Sequence, residues 1–303
     1  MSEAKVNLEK AYEIGRRLTP DDPQLSLIVL GLAAGAWDDG DLDRAVELAE
    51  ESLRMGRAGY GEDHPKTIDP LSSLADMKRM QGKKQEALNL YREAEKLGRE
   101  TLGPKNLQTL YPRGRVCLLL AQIGARGEAL EYCRSLASFL LEFEAEGVAG
   151  AGRVGLQRLL HLAWAFLELA AVEESLLWAA KAVEVSREVA GESSGAYAHA
   201  KVAQGRALAL AGRLVEARDA VDFAIGMAEK ITAGEAGDDL SDIWEGRAEV
   251  YVAAGEYDVA LADYQEAIRR SGYEARIANY RAAVERLCRE KNYEPACGAK
   301  SSR

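Results

Sequence analysis

The chain has 303 residues, 39 of them basic and 49 acidic, and its formal net charge is −10. Proteins that bind nucleic acid normally present a basic stripe, so this acidic balance argues against a nucleic-acid partner. An apolar fraction of 48% beside a charged fraction of 29% is typical of a folded, water-soluble protein rather than a disordered one.

Neither membrane-spanning segments nor structural metal sites are predicted. The longest apolar stretches, around residues 25–37 and 159–172, are too short and too interrupted to span a bilayer. Charged residues among the first fifteen argue against a signal peptide. The cysteines have neither metal-ligand spacing nor the density of a disulfide framework: Cys117, Cys133, Cys288 and Cys297. We therefore expect reduced thiols, no cofactor, no metal, no membrane partner and a cytoplasmic location.

In chain order, the first predicted element is a helix at Glu3–Leu18, and an internal repeat follows it. A turn residue, usually glycine, precedes a small residue by five positions in six copies: Gly40/Ala45, Gly82/Ala87, Gly124/Ala129, Ala170/Ser175, Gly212/Ala217 and Gly255/Ala260. Successive turn residues are 42, 42, 46, 42 and 43 positions apart. Self-similarity at this period indicates a solenoid of stacked units.

Each repeat has the pattern of two antiparallel helices. Apolar residues recur at helical spacing, and no segment alternates with the period of a strand. Seven positions before each turn stands a small residue: Ala33, Ala75, Cys117, Ala163, Gly205 and Ala248. Small side chains at a fixed position are expected where two helices cross closely. Prolines are expected only between repeats or in the first turn of a helix.

The ends and one junction are irregular. Glu3–Leu18 matches the second helix of an earlier repeat, so the sequence begins inside a repeat, either as a lone capping helix or as a fragment of a longer protein. Four extra residues fall near the glycine-rich segment 147–155, which we interpret as a loop or hinge. The predicted organisation is a partial repeat helix, repeats one to three, the loop, repeats four to six, a capping helix and a tail, at 1–22, 23–146, 147–155, 156–272, 273–291 and 292–303.

The repeat resembles the tetratricopeptide repeat. The last copy fills the signature positions in order, with Trp244, Ala248, Tyr251, Gly255, Tyr257, Ala260, Tyr264 and Ala267. The usual repeat has 34 residues; the longer period and the junction Gly-Glu-Asp-His-Pro-Lys-Thr at 61–67 resemble the 42-residue variety of kinesin light chains and of many bacterial proteins. The resemblance covers residues 3–271. It implies an all-α fold, a right-handed α-solenoid of helix hairpins closed by a C-terminal capping helix.

The resemblance also implies a candidate site, because in this family the first helices line a concave groove. The residues that it places there as peptide-binding are Leu30, Trp37, Arg79, Tyr111, Leu118, Leu160, Trp164, Arg206, Asp242, Glu245 and Glu249. Aromatic side chains in such a groove are good anchors for a partner. The three carboxylates of the sixth repeat would attract a basic segment.

Two short motifs that could indicate an enzyme lack the required context. Residues 150–155 match G-x-G-x-x-G, but a helix rather than a buried strand precedes them. Residues 191–195 match G-x-S-x-G, but they lie between two repeats and no sheet is predicted to hold a triad. No catalytic residue is therefore predicted.

The favoured hypothesis is a non-catalytic scaffold that binds a peptide segment of a protein partner in the groove. It could be the sensing or interaction region of a longer bacterial signalling protein. The alternative is a stand-alone regulatory sensor that binds a small peptide or a metabolite in the groove. The partner, the process, the oligomeric state and the choice between groove and convex face stay open.

Overall fold

The computed structural model describes residues 3–19, 22–145, 152–234 and 240–294. The chain divides into two compact units, Met1–Ile123 and Gly124–Arg303. Within the described residues every regular element is a helix, as the sequence predicts, and no strand occurs. None of these helices is both long and apolar enough to cross a membrane.

Among its described residues the first unit contains six α-helices, numbered in chain order, with a short 3₁₀-helix at Pro65–Thr67 before the fourth. They are α1 Glu3–Leu18, α2 Leu25–Asp38, α3 Leu42–Tyr60, α4 Ile68–Met80, α5 Lys84–Thr101 and α6 Leu107–Gln122. Helix α2 packs against α3, and α4 packs against α5, which gives the predicted hairpins. Buried side chains of α2 to α5 form a common core that includes Val29, Leu53 and Leu71.

The described part of the second unit contains eight α-helices. They are α7 Arg126–Ala145, α8 Gly152–Glu168, α9 Val172–Ala190, α10 Gly195–Leu210, α11 Leu214–Gly234, α12 Ser241–Ala254, α13 Tyr257–Arg270 and α14 Glu274–Glu290. Hairpins form between α8 and α9, α10 and α11, and α12 and α13. The predicted closing helix is present as α14, which buries Tyr280, Ala283 and Leu287 against the last hairpin.

The turns confirm the repeat register. The five glycines at the turn position have φ between 77° and 80°: Gly40, Gly82, Gly124, Gly212 and Gly255. This left-handed conformation costs glycine nothing because glycine has no Cβ. The degenerate copy keeps the geometry, since Ala170 has φ of 50°. The fourth repeat therefore has the same turn without the residue that favours it.

The small residues before the turns also lie where the pattern predicts. All of them are buried, and the alanines among them, Ala33, Ala75, Ala163 and Ala248, have no exposed surface. At Gly205 a Cβ would lie 2.5 Å from Cγ1 of Val221 on the paired helix. A larger side chain at this position would separate the two helices of the hairpin.

One predicted boundary and one predicted proline position differ from the structure. Helix α8 begins at Gly152, so the predicted loop 147–155 ends earlier, and residues 146–151 lie outside the described part. Glycine in a helix costs only roughly 0.5–1 kcal/mol relative to alanine, so Gly152 and Gly155 do not prevent the helix. Pro112 lies at the sixth position of α6, beyond the first turn, contrary to the sequence expectation. Its ring is buried, which offsets the lost backbone hydrogen bond.

The cysteines contradict the expectation of reduced thiols. Cys117, Cys133 and Cys288 are disulfide-bonded, and Cys297 lies outside the described residues. A disulfide requires two Cα atoms within about 7 Å, a separation that sequence spacing does not reveal. The cytoplasmic prediction rested partly on reduced thiols and loses that support.

Candidate functional site

In the second unit, neighbouring first helices bring three predicted residues into one row. Helix α10 lies between α8 and α12 and contacts both. The Arg206 guanidinium lies over the Trp164 ring, with 5.0 Å between its carbon and the ring centroid. Arg206 also forms an ion pair with Glu249 and approaches Glu168 to 4.0 Å. The row therefore presents an aromatic face next to a charge pair, both half-buried.

A second pair links the same helices nearer their N-terminal ends. Both carboxylate oxygens of Asp242 lie 3.1 Å from Nε2 of His199, and Nδ1 lies 2.8 Å from the Gly195 carbonyl oxygen. Burial by itself would lower the pKa of His199, but the Asp242 charge outweighs it and raises the pKa to about 9. The imidazolium can then donate at both nitrogens.

Asp242 responds in the opposite direction. Burial would raise the pKa of its carboxyl group, but the charge and hydrogen bond of His199, helped by Arg276, lower it to about 2. Both members of the pair are therefore charged near neutral pH. Arg276 belongs to the capping helix α14, which sequence reasoning did not include in the site.

Glu245 lies on α12 between Asp242 and Glu249 in the sequence. Of these three acidic residues, it alone has no ion pair or hydrogen bond to the described part of the chain. Burial, followed by the nearby Glu249 charge, raises the pKa of Glu245 to about 7. The sequence treats Asp242, Glu245 and Glu249 as one acidic patch. In the structure, two of these carboxylates already have cationic partners and the third is partly protonated at neutral pH.

The remaining predicted residue of this unit lies one helical turn before Trp164. Leu160 is half-buried on α8. Trp164 packs against a core cluster that contains Tyr197 and Trp244. The aromatic anchor is therefore held in place by buried neighbours while part of its ring stays exposed.

In the first unit, the structure joins Arg79 and Tyr111 through Asp76, which is not among the predicted peptide-binding residues. Asp76 accepts hydrogen bonds from Tyr91 at 2.7 Å and from Tyr111 at 2.5 Å. The Arg115 guanidinium lies 3.0 Å from the same carboxylate, and that of Arg79 lies 3.9 Å from it. Burial is the main cause that raises the pKa of Tyr111 to about 12. The network connects α4, α5 and α6.

The apolar candidates of the first unit differ in accessibility. Leu30 and Trp37 are half-buried on α2, and Trp37 packs against the core of α2 to α5. Leu118 is only 8% exposed. Its side chain is part of the packed interior, so we leave it out of the site proposed below.

The loop motifs have structural roles. Ser194, within the G-x-S-x-G match, caps α10 by accepting a hydrogen bond from the Tyr197 backbone N–H at 3.2 Å. His64 accepts a hydrogen bond from the Lys66 backbone N–H through Nδ1 at 3.1 Å, as expected of a capping residue. Groups of three or more possible metal ligands do not occur among the described residues.

The family model described as the tetratricopeptide repeat matches residues 25–100, which correspond to helices α2 to α5. Residues 25–100 therefore carry tetratricopeptide repeats. The turn geometry extends the same register through both units, as described above. No curated protein has significant sequence similarity to the chain.

Solved structures with this fold include kinesin-light-chain-like and bacterial proteins. BtubC (BKLC) from P. vanneervenii is 22% identical, with a TM-score of 0.54, over 80% of this chain and 92% of that one. A putative kinesin light chain from Podosopora anserina is 19% identical, with a TM-score of 0.54, over 69% and 97%. NprR in complex with its cognate peptide NprX is 14% identical, with a TM-score of 0.60, over 99% and 85%. At these identities the likeness shows the fold.

Proposed function

We propose that the chain is a non-catalytic interaction scaffold that binds an extended peptide segment of a protein partner along the first helices of the second unit. The row of Trp164, Arg206 and Glu249 carries this proposal. Its side chains are half-buried, come from three neighbouring repeats and are held by one another. Rigid aromatic and arginine side chains in partly desolvated positions are the residue types that dominate binding energy at interfaces.

The fold likeness supports a peptide ligand. The NprR structure contains its cognate peptide, and a Rap protein of 14% identity, with a TM-score of 0.56, was solved with Competence and Sporulation Factor. A solenoid offers an extended ligand one set of contacts for each repeat. The role in a bacterial signalling protein and the cytoplasmic location stay predictions that accompany this proposal.

The basic segment that the sequence predicts would have one carboxyl group available to it. Asp242 and Glu249 are occupied by His199 and Arg206, whereas Glu245 has no such partner in the described residues. A lysine or arginine of the ligand next to Glu245 would favour its ionised form and release a proton. We therefore expect a basic ligand to bind more tightly as the pH rises through 7.

The test is to select peptides from a random dodecapeptide library by their binding to the immobilised full chain. The affinities of the selected peptides are then measured. Trp164→Ala and Arg206→Gln should each weaken binding about tenfold or more, because they remove the anchor or its cation. Glu245→Gln should weaken only peptides that carry a basic residue. Equal binding by Trp164→Ala, Arg206→Gln and the wild type would contradict the proposal.

The matched control is Val215→Ala on the second helix α11. Val215 is 73% exposed, so the change removes apolar surface away from the row without opening the core. Val215→Ala should bind the selected peptides as the wild type does. Thermal unfolding of every variant separates lost binding from lost folding, which matters for Trp164 because it also packs against the core.

A further inference from the structure

A cleft opens in the second unit where the capping helix meets the last repeat. It lies between α12, α13 and α14 and has a cavity volume of about 210 Å³. Its apolar floor is formed by Val252, Ala283 and Leu287. Glu249 lines the cleft and also belongs to the row with Arg206 and Trp164, so the cleft continues the proposed peptide path. Sequence reasoning did not select this place, because α14 lies outside the repeats.

Tyr264 gives the floor a polar group. Its side chain is 3% exposed, it lines the cleft, and it has no hydrogen bond to any part of the chain that the structure describes. Burial, followed by the charge of Glu249, raises the pKa of Tyr264 above its ordinary value. The hydroxyl therefore stays protonated and is a hydrogen-bond donor that lacks an acceptor.

The uncompensated charges at the cleft are positive. Within the described ranges, Arg286 and Lys291 form no ion pair, and both side chains are exposed at the rim. The Glu249 carboxylate is occupied by Arg206, and Glu290 has Arg289 at 3.9 Å. A donor hydroxyl on the floor and two available cations at the rim suit an anion of small size above an apolar surface.

We propose that this cleft binds a carboxylate of the peptide ligand, with Tyr264 donating a hydrogen bond and with Arg286 and Lys291 supplying charge. The proposal rests on the proposed function, since the cleft would hold one end or one side chain of the peptide that runs along α8, α10 and α12. The carboxylate can be the C-terminus of the ligand or the side chain of an aspartate or glutamate. Both sources offer the same acceptor geometry.

The experiment titrates the full chain, ¹⁵N-labelled at arginine, with small defined probes and follows the Arg286 Nε–H signal by NMR. N-acetylglutamine carries a terminal carboxylate, N-acetylglutamate α-amide carries a side-chain carboxylate, and N-acetylglutamine amide carries neither. We expect a saturable shift with at least one of the two carboxylates and none with the neutral amide. The carboxylate that binds more tightly identifies the source.

Two variants and one control assign the binding to the cleft. Tyr264→Phe and Arg286→Gln should each weaken carboxylate binding about tenfold. The Arg286 variant is ¹⁵N-labelled at leucine and followed through the backbone amide of Leu287. Arg281→Gln also removes one positive charge from an exposed position of α14, but it does not line the cleft, and it should bind as the wild type does. Equal losses in Arg281→Gln and Arg286→Gln, or no saturable shift with either carboxylate, would overturn the proposal.

The small probes separate this proposal from the proposed function. If the probes bind in the cleft while the peptide library selects nothing, the carboxylate site stands and the peptide scaffold fails. If selected peptides need Trp164 but bind equally well to Tyr264→Phe and Arg286→Gln, the scaffold stands and the carboxylate site fails.

Discussion

His199 on α10 and Asp242 on α12 join two neighbouring repeats through an ion pair, with 3.1 Å between Nε2 and each carboxylate oxygen. The two residues are 43 positions apart, one repeat period. The pair therefore links equivalent helices of successive repeats. The protonation states of His199 and Asp242 consequently affect the stability of the packing between those repeats.

The stability contributed by this pair should depend on pH. The pKa of His199 is raised to about 9, so its contribution is complete below its ordinary pKa of 6.5 and is lost as the pH rises through 9. The pKa of Asp242 is lowered to about 2, so its contribution is complete above 3.8 and is lost as the pH falls through 2. Because Asp242 is 35% exposed, we expect screening to leave a loss of about 1–2 kcal/mol between pH 6.5 and 9.

Urea unfolding of the wild type and His199→Gln across pH 6 to 9 measures that contribution. The free energy of unfolding should fall with pH in the wild type, and the difference between the two proteins should shrink as the histidine loses its proton. His64→Asn is the control, because asparagine keeps the capping acceptor at a histidine position outside any such pair. A difference between wild type and His199→Gln that stays constant with pH would contradict the assignment.

A glycine at the turn of the fourth hairpin should make the protein more stable. Ala170 holds φ of 50° where the other repeats have glycine, and a Cβ in this conformation costs roughly 1–2 kcal/mol. Ala170→Gly should therefore raise the free energy of unfolding by about 0.5–1 kcal/mol after the entropy of glycine in the unfolded chain is subtracted. Gly212→Ala makes the reverse change at φ of 77° and should destabilise. Changes in melting temperature of the same sign in both variants, relative to the wild type, would contradict this prediction.

The carboxylate of Asp76 should be a main support of the first unit. Asp76→Asn takes away the charge opposite Arg115 and one acceptor oxygen from Tyr91 or Tyr111, at a site where the carboxylate is 16% exposed. We expect a destabilisation of about 3 kcal/mol, measured by chemical unfolding. Asp69→Asn is the matched control on the same helix: Asp69 is exposed and accepts a bond from Gln108 at 2.8 Å, so its loss should cost less than about 0.5 kcal/mol. Similar losses for the two variants would show that the network contributes little.

The disulfides can be tested directly by alkylation. Iodoacetamide added to the denatured, unreduced protein should leave Cys117, Cys133 and Cys288 unlabelled, and prior reduction should make all three reactive. Denaturation is needed because Cys117 and Cys133 are fully buried in the native state. Mass spectrometry of the digested protein gives the labelled fraction at each position. Labelling before reduction would restore the expectation of free thiols.

The local features of the fold could be read from the sequence because they depend on near neighbours. The period of the turn glycines and the small residues before them identify helix hairpins, and Glu3–Leu18 and the capping helix follow from apolar spacing. Candidate groove positions such as Trp164 and Arg206 follow from the resemblance to the tetratricopeptide repeat. The contact between the Arg206 guanidinium and the Trp164 ring could not be predicted from the sequence, because it depends on the rotation of α8 against α10.

By itself, the sequence determined the repeat, the helices and the turns, because a 3.6-residue period and a left-handed turn are properties of short stretches of chain. Only the tertiary structure decided which charges meet. Asp76 with Tyr111, His199 with Asp242 and Arg206 with Glu249 are pairs separated by 35 to 43 positions, and stacking of successive repeats brings them within contact distance. Three carboxylates that the sequence presents as one acidic patch thereby become two neutralised pairs and one half-buried carboxyl group.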